Sequence, residues 1–379
     1  MLLTLPAVGL VVVALLLPLI YLLCTAVRDP ELRATLPRTA AMLRAWDGQG
    51  LPDEAVFAAL VEEAREAAEG QRIGGLAQRL NFERTGMRGL LLRAAESEVA
   101  APYAMGLPAL DRNWADPAVW HVLRRASVGV TPLYLLRAVD LDMTAEGDVA
   151  VMAERPFLPL LSRTLWIAGM VTLLCLVIGF PVAMSIAAMP PMWARVALGC
   201  VLVPFWISII VRTTAWFVLL QREGPVNSVL MALGLVDHPL QIMFTRFAVY
   251  LAMVHVLLPF AVLPMLSVMR RIDRRFARAA ASLGAPAWRR FVRVTLPLAW
   301  PGVRAGGLIV FMLASGFYIT PALMGGGGDQ MLGAFIAEYA TASLNWGMAA
   351  ALGLMLMAGV AAVTLAGLGL ARLALGRAA

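Results

Sequence analysis

The chain contains no lysine, only three cysteines and three histidines, and charged side chains make up just 15% of its 379 residues. All 31 basic residues are therefore arginine, a bias that genome base composition explains more simply than phosphate or nucleic-acid recognition does. Cys24, Cys175 and Cys200 are odd in number, and each sits in an apolar run with no partner at metal or redox spacing. They read as small buried hydrophobes, which excludes a disulfide framework. His121, His238 and His255 are scattered, so neither a zinc nor a haem pattern survives. There is no P-loop and no Rossmann glycine pattern, and the Gly325 to Gly328 run lacks the Lys-Ser or Lys-Thr that a phosphate cradle needs. That run reads as a flexible turn. With no Ser-His-Asp set or metal-ligand cluster, a membrane enzyme or sensor is disfavoured, and the chain is expected to hold no catalytic residue and no metal.

What the sequence has in excess is oil. Hydrophobic residues reach 61% with a mean hydropathy of +0.79, well above the roughly 45 to 50% apolar content of a soluble domain. A bilayer core needs about 20 mostly apolar residues per helix. Six stretches meet that: Leu5 to Val27, Leu160 to Ala188, Val196 to Leu220, Phe244 to Met269, Val303 to Leu323 and Trp346 to Leu370. The first has no basic leader and too long an apolar run for a cleaved signal peptide, so it is expected to remain as a helix. The spans hold essentially no acids, which argues against an ion-coupled secondary transporter, the rival reading, because coupling to a gradient calls for intramembrane carboxylates. Breaks at Gly179-Phe180-Pro181, Pro204, Pro259, Pro264 and Pro321 are tolerable where neighbours or a cavity satisfy the backbone. They suit a rocking protein and equally suit ordinary membrane-helix statistics.

Charge is unevenly placed. From Arg28 to Phe157 there are 15 arginines and 19 acids, a net of −4, while the rest of the chain has 16 arginines and 5 acids. Placing the short, arginine-rich 270–301 loop inside also puts Arg195, Arg372 and Arg377 inside. Both termini are then cytoplasmic, and the 28–157 insertion and the loops at 221–243 and 324–345 lie outside. Within the insertion, Asp53 to Glu69 sets Val56, Leu60 and either Ala64 or Ala67 on one face and Glu62, Glu63, Glu66 and Glu69 elsewhere, an amphipathic helix. Leu90 to Val99 and Pro117 to Ala126 are further candidate helices. The insertion reads either as a docking surface for a soluble binding protein or as a cap on the first two spans.

The segment Arg270 to Pro301 holds eight arginines and one acid, Asp273. Arg271, Arg274, Arg275 and Arg278 fall at i, i+3, i+4 and i+7, one stripe of a helix, with Ile272, Phe276, Ala279 and Leu283 on another. Gly284 followed by Pro286 is a stop signal, and a short helix from Ala287 to Leu296 is expected to lead to Pro297. The pattern AAASLGAPAWRRFVRVTLP resembles the cytoplasmic coupling loop, or EAA loop, of ABC-importer permeases. That resemblance implies a helix that docks in a groove on an ATP-hydrolysing subunit, through Arg275, Phe276, Arg278, Ala279, Ala280, Leu283, Gly284 and Arg289, with Leu296 and Pro297 opening the next span. The family's leading Glu is Arg278 here. Orientation alone asks for arginines anywhere; it does not ask for Ala279-Ala280, a stop at Gly284 and Leu296-Pro297.

Three further segments, Thr164 to Ala188, Leu202 to Asn227 and Phe317 to Gly353, resemble the spermidine/putrescine-type branch of these permeases. The likeness covers about 155 to 375. It implies an all-α membrane protein with six transmembrane helices of the type I importer permease kind: a first span at 1–27, an extracytoplasmic helical insertion at 28–157 and a five-span core at 158–375. It also implies two copies of an ABC ATPase subunit that bring ATP and Mg, no cofactor in this chain, a second related permease chain, an extracytoplasmic solute-binding protein, and a bacterial inner membrane as the setting. Membrane lipid is a contact; nucleic acid is not. The cargo is expected to be a small amine, a polyamine first and an amino-acid-like or other polar solute as the alternative.

Several residues are candidates for the cargo's route. Arg212 and Thr213, with Thr214, sit deep in the third apolar run, and Arg212 reads either as a pathway charge or as a side chain snorkelling to the outer interface. Glu223, Asp329 and Glu338 are carboxylates that suit an amine, and Tyr318 and Trp346 offer aromatic faces for a cation. Each has a plainer reading as part of an interfacial aromatic belt or as a solvated loop acid.

Overall fold

The structure is a computed structural model that describes residues 5–144 and 147–376. Arg377 lies outside the described residues, as do the side chains of Arg274 and Arg372. Among the described residues the fold is all-α apart from one hairpin, Leu141–Met143 paired antiparallel with Val149–Val151, and an isolated bridge between Arg28 and Val130. It divides into two compact units, Met1–Leu158 with Phe335–Met355, and Pro159–Ala334 with Leu356–Ala379. This division differs from the 28–157 and 158–375 segments expected from the sequence, because the first unit also takes in the first span and the start of the last.

The first unit is built on a lobe of short helices that follows the first span, Leu5–Val27. Phe57 and Leu60 of Glu54–Glu69, Leu76 and Leu80 of Ile73–Glu83, and Trp120 of Pro117–Ser127 are fully buried together. Trp120 packs tilted against Phe57, ring centroids 4.4 Å apart, and donates its indole N–H to the Trp114 carbonyl at 3.0 Å. Val56, Leu60, Ala64 and Ala67 do form the inner face of the Glu54–Glu69 helix, but Glu63 is buried beside them rather than wet. The reason lies in the neighbouring helix Pro37–Ala45, whose N-cap is Leu36, a residue without a capping side chain. Glu63 supplies the missing acceptor. Its carboxylate takes the Arg38 and Thr39 amides at 2.7 and 2.8 Å and the Thr39 hydroxyl at 2.7 Å, satisfying donors that a helix start leaves open.

Two carboxylates fasten segments of this unit that are distant in sequence. Asp29, two residues past the first span, accepts from the Arg79 guanidinium; Arg79 also pairs with Glu83 at 3.1 Å, and Glu83 with Arg125 at 2.7 Å. Asp29 and Glu83 hold Arg79 firmly in its charged form despite its burial. Asp140 accepts the Phe157 and Leu158 amides, both at 2.8 Å, and so caps the second span. Tyr339 packs edge-on to Phe82 at 5.8 Å, and Gly347 abuts the Tyr134 ring, which is why Phe335–Met355 belongs with the lobe.

The second unit carries the second span, Phe157–Ala188, from Pro159 onward, the fourth, Arg246–Met269, the fifth, Ala287–Ser315, and the sixth, Trp346–Gly376, from Leu356 onward. The fourth and fifth approach most closely at Gly302 and Gly306, where an added Cβ would lie 3.0 Å from the Met265 Cα and 2.9 Å from the Ala261 carbonyl oxygen. Two glycines at i and i+4 let helix backbones touch.

Two spans depart from expectation. The run Val196 to Leu220 is not one helix: Pro191–Trp206 and Ile209–Ala232 meet at 99°. Pro204 lies in a 3-10 turn at Val203–Trp206, and Ile207 and Ser208 are extended, so the ladder ends where proline removes a donor and crowds the preceding turn. The fifth span starts earlier than Val303 and ends at Ser315, with a separate short helix at Ile319–Met324. The short helix expected to stop near Leu296 instead runs on into that span through a π turn at Phe291–Thr295. Pro297 has no N–H for the Arg293 carbonyl, and a widened turn just before it absorbs the mismatch.

Candidate functional site

The arginine-rich loop becomes a free-standing helix. Asp273 is its N-cap, accepting the Arg275 amide at 2.8 Å, and the helix runs from Arg274 to Ser282. Arg271 and Ile272 therefore precede the helix, and Ile272 turns inward to the core of the unit. The stripe read from sequence begins at Arg271 and so places Asp273 inside it; the signal for the later start is that Asp is a favoured N-cap. At the other end Gly284 takes φ +76°, and the Ala285 amide returns to the Ala280 carbonyl at 3.0 Å. A left-handed residue closes helices in this way at low cost only when it is glycine.

The helix presents its side chains to open space. Leu283 is 88% exposed, Arg275 85% and Phe276 57%, while Arg278 and Ala279 are exposed and Ala280 half-buried. Trp288, which the sequence reading passed over, is 71% exposed beside the exposed Arg289. Leu296 is half-buried and Pro297 exposed, both in the first turn of Leu296–Ser315. A nine-residue helix capped at both ends, with a large Leu and Phe uncovered, is a rigid knob. Single exposed hydrophobes are ordinary; Phe276, Leu283 and Trp288 on one short loop form a patch of the kind that marks an interface.

A second polar group lies at the break in the third span. Arg212 sits in the first turn of Ile209–Leu220, directly after the break, and is only 9% exposed. Its Nη2 donates to the Ile207 carbonyl at 2.6 Å, satisfying an acceptor that the break frees, while its buried Nε has no partner. Neighbouring Thr213 shares a hydrogen bond with Thr320 at 3.2 Å. One turn on, the Trp216 indole donates to His255 Nδ1 at 3.0 Å, which leaves the proton of a neutral His255 on Nε2. Beyond the helix, Asn227 donates to the Gln221, Arg222 and Leu240 carbonyls and accepts the Leu240 amide at 2.9 Å, tying down the following loop. Thr320, Trp216, His255 and Asn227 were not singled out from sequence. The signal available was His255 itself, an ionisable residue in mid-span.

The other candidates scatter. Asp329 is nearly buried and already engaged: Oδ1 accepts Arg246 Nε at 2.7 Å and Oδ2 the Gly326 amide at 3.3 Å. Nor is the Gly325 to Gly328 run a loose turn throughout. A Cβ on Gly325 would lie 2.7 Å from the Pro321 carbonyl oxygen, and one on Gly326 2.9 Å from that of Phe244. Glu223 is exposed and Tyr318 partly so. Glu338 and Trp346 belong to the first unit and are exposed there. Of the cysteines, Cys175 is buried and Cys24 half-buried, but Cys200 is exposed on the apolar Pro191–Leu202 helix, not packed as expected. Among the described residues no cluster of His, Cys, Asp or Glu is arranged to hold a metal ion.

Comparison with known proteins bears on both sites. Residues 162–373 match the family model described as binding-protein-dependent transport system inner membrane component. The spermidine/putrescine transport system permease protein PotB of Haemophilus influenzae is 35% identical over 207 residues, covering 53% of this chain and 72% of that protein. PotB of Escherichia coli K12 is 35% identical over 195 residues, 52% of this chain and 71% of that protein. A crystal structure of a bacterial alginate ABC transporter aligns over 56% of this chain and 77% of that chain, with 19% identity and a TM-score of 0.49, a likeness too loose to carry an argument. The family match spans more than half of the chain and takes in both the knob and the broken span, and the chain belongs to the binding-protein-dependent transport system inner membrane component family.

Proposed function

We propose that the chain is the membrane-spanning subunit of an ATP-driven importer for a polyamine-like cation of the spermidine or putrescine class. The single observation that carries the reading is the uncovered helix Arg274–Ser282, capped by Asp273 and closed by Gly284. The likeness to PotB supports the substrate class. Two ATPase subunits bring ATP and Mg, and each presses on one such helix. This chain supplies one helix, so a second, related permease supplies the other, and an extracytoplasmic binding protein delivers the cargo. The 28–157 lobe lies outside and both termini inside.

The geometry gives the push a path. Phe276 and Leu283 fill a pocket on the ATPase, Ala279 and Ala280 allow close approach, and Arg275, Arg278 and Arg289 meet acids at its rim. From Ala287 to Ser315 the chain is helical without interruption, so a displaced knob moves the fifth span. That span contacts the fourth at Gly302 and Gly306, and the fourth carries His255, bonded to Trp216 beyond the break. Motion at the knob thus reaches Arg212 and Thr213. Around the break an amine meets the hydroxyls of Thr213, Thr320 and Tyr318 and the face of Trp216, because Asp329 is spent on Arg246. Passage along such a route is weakly bound, which suits transport, and leaves selection to the binding protein. Glu223 in this unit, and Glu338 and Trp346 in the other, all exposed, are separate candidates for meeting the cargo.

The test is co-purification of the chain with its operon products, followed by uptake of labelled spermidine in cells. The ATPase should co-purify, and Leu283→Asp should abolish uptake. Retention of full uptake by that variant, or absence of any ATPase from the complex, overturns the coupling reading. A binding protein with no affinity for any di- or polyamine removes the cargo assignment alone. Cysteines placed in the 28–157 lobe should label from outside in intact cells; protection there refutes the orientation.

A further inference from the structure

The fourth span ends in a feature that the coupling role does not use. A cleft of about 360 Å³ is lined by Leu198 of Pro191–Leu202 and by Leu263, Leu266, Ser267, Arg270 and Arg271 at the end of Arg246–Met269. Positions 263, 266, 267 and 270 form one helical stripe, and they change character along it: leucines deep in the span, then a hydroxyl, then two guanidinium groups. Seven residues of helix rise about 10 Å, so the gradient from oil to charge is completed within the depth of one leaflet's interface.

Both arginines are exposed and available. Among the described residues neither makes an ion pair, and the acid closest in sequence, Asp273, is committed to capping the Arg275 amide. Arg195 lies one turn from Leu198 on the same helix, is exposed, and adds a third positive charge at the same end. In the orientation proposed above, which this inference rests on, that end faces the cytoplasm, where the leaflet is rich in anionic headgroups.

We propose that this cleft holds one anionic phospholipid, its phosphate on Arg270 and Arg271, Ser267 donating to a phosphate oxygen, and an acyl chain along Leu198, Leu263 and Leu266. A free phosphate would use the arginines and leave the leucine floor unfilled; a zwitterionic lipid would fill the floor but bring an ammonium group up to the arginines. Only an anionic amphiphile satisfies both ends. The site lies three residues before the Asp273 cap, so an occupied cleft anchors the root of the knob on the membrane surface.

The experiment is native mass spectrometry of the full chain in detergent, titrated with phosphatidylglycerol, phosphatidylcholine or inorganic phosphate. One phosphatidylglycerol should be retained by the wild type, and about tenfold less by Arg270→Gln/Arg271→Gln, from roughly 1 kcal/mol per arginine near a charged leaflet discounted for partial exposure. Arg270→Lys/Arg271→Lys should keep it, which separates lost charge from a misfolded chain, and Arg289→Gln/Arg293→Gln, with the same net charge, should keep it as well. Equal retention by the glutamine pair, equal retention of phosphatidylcholine, or displacement of the lipid by millimolar phosphate each overturns the proposal, the last assigning a free-anion site. Since the assay reads no uptake and needs no ATPase, failure of the importer reading would leave its outcome separately visible.

Discussion

Adjacent glycines in the fifth span give a sharp test of the packing between the fourth and fifth spans, on which the proposed path from the knob depends. An added Cβ at Gly306 would stand 2.9 Å from the Ala261 carbonyl oxygen and 3.2 Å from its Cα, both backbone atoms of the fourth span, whereas one at Gly307 would have side-chain atoms as its nearest neighbours, the Leu176 Cδ1 at 3.2 Å and the Thr172 Cγ2 at 3.8 Å. Ordinary contact begins near 3.4 Å, so Gly306→Ala forces the helices apart by about half an ångström, while at Gly307 a flexible side-chain tip moves aside. Replacing a helical glycine by alanine stabilises by about 1 kcal/mol through backbone entropy; overpacking costs about 1–3 kcal/mol. Gly307→Ala should therefore be neutral or stabilising by up to about 1 kcal/mol, and Gly306→Ala destabilising by about 1 kcal/mol, a gap of about 2 kcal/mol between neighbours. Thermal unfolding of the purified chain in one detergent measures it. If Gly306→Ala melts at or above Gly307→Ala, the close backbone contact is not what holds these spans together, and the path from knob to helix break loses its middle link.

Three further outcomes follow from the same geometry. Arg278→Glu should weaken ATPase co-purification by about tenfold or more, since it places a like charge against an acidic rim, and high salt should weaken the wild-type complex in the same direction; no change on either count refutes the acidic rim. Glu63→Ala should destabilise the lobe by about 2–3 kcal/mol, because three donors at the start of Pro37–Ala45 lose their acceptor in a buried place, seen as earlier proteolysis of that helix with the spans intact. Asp111 and Asp116 have carboxyls below their ordinary value of 3.8, Asp111 chiefly through the Asn113 amide and Asp116 chiefly through the Arg84 guanidinium. A depressed carboxyl stabilises fully above its unfolded value and loses that contribution as pH falls through the lower folded one, so circular dichroism of the lobe should hold to about pH 4 and decline below it, less steeply in Asp116→Asn; a decline that begins near pH 6 would point to other groups.

Long apolar runs and the arginine loop were legible because both are local: hydropathy over 20 residues, a stripe at i, i+3, i+4 and i+7, a glycine before a proline. What escaped was decided by partners distant in sequence. Glu63 looked like one acid in a wet run, and only the bare Leu36 cap, in another helix, draws it inside. Asp329 looked free to meet an amine until Arg246, 83 residues earlier, claimed it. The break in the third span is the hardest case. Pro181, Pro259, Pro264 and Pro301 all sit inside unbroken helices, so Pro204 by itself does not announce a 99° bend. The bend also needs a donor for the Ile207 carbonyl that it leaves open, and the residue that supplies one is Arg212. Read as a lone charge in oil, that arginine suggested snorkelling; seen beside an open carbonyl, it is part of the reason a bent backbone is tolerable at membrane depth. Its Nε, buried and without a partner among the described residues, leaves the break with one polar group still open, which is what a local arrangement set by a single side chain, and not by a regular ladder, produces.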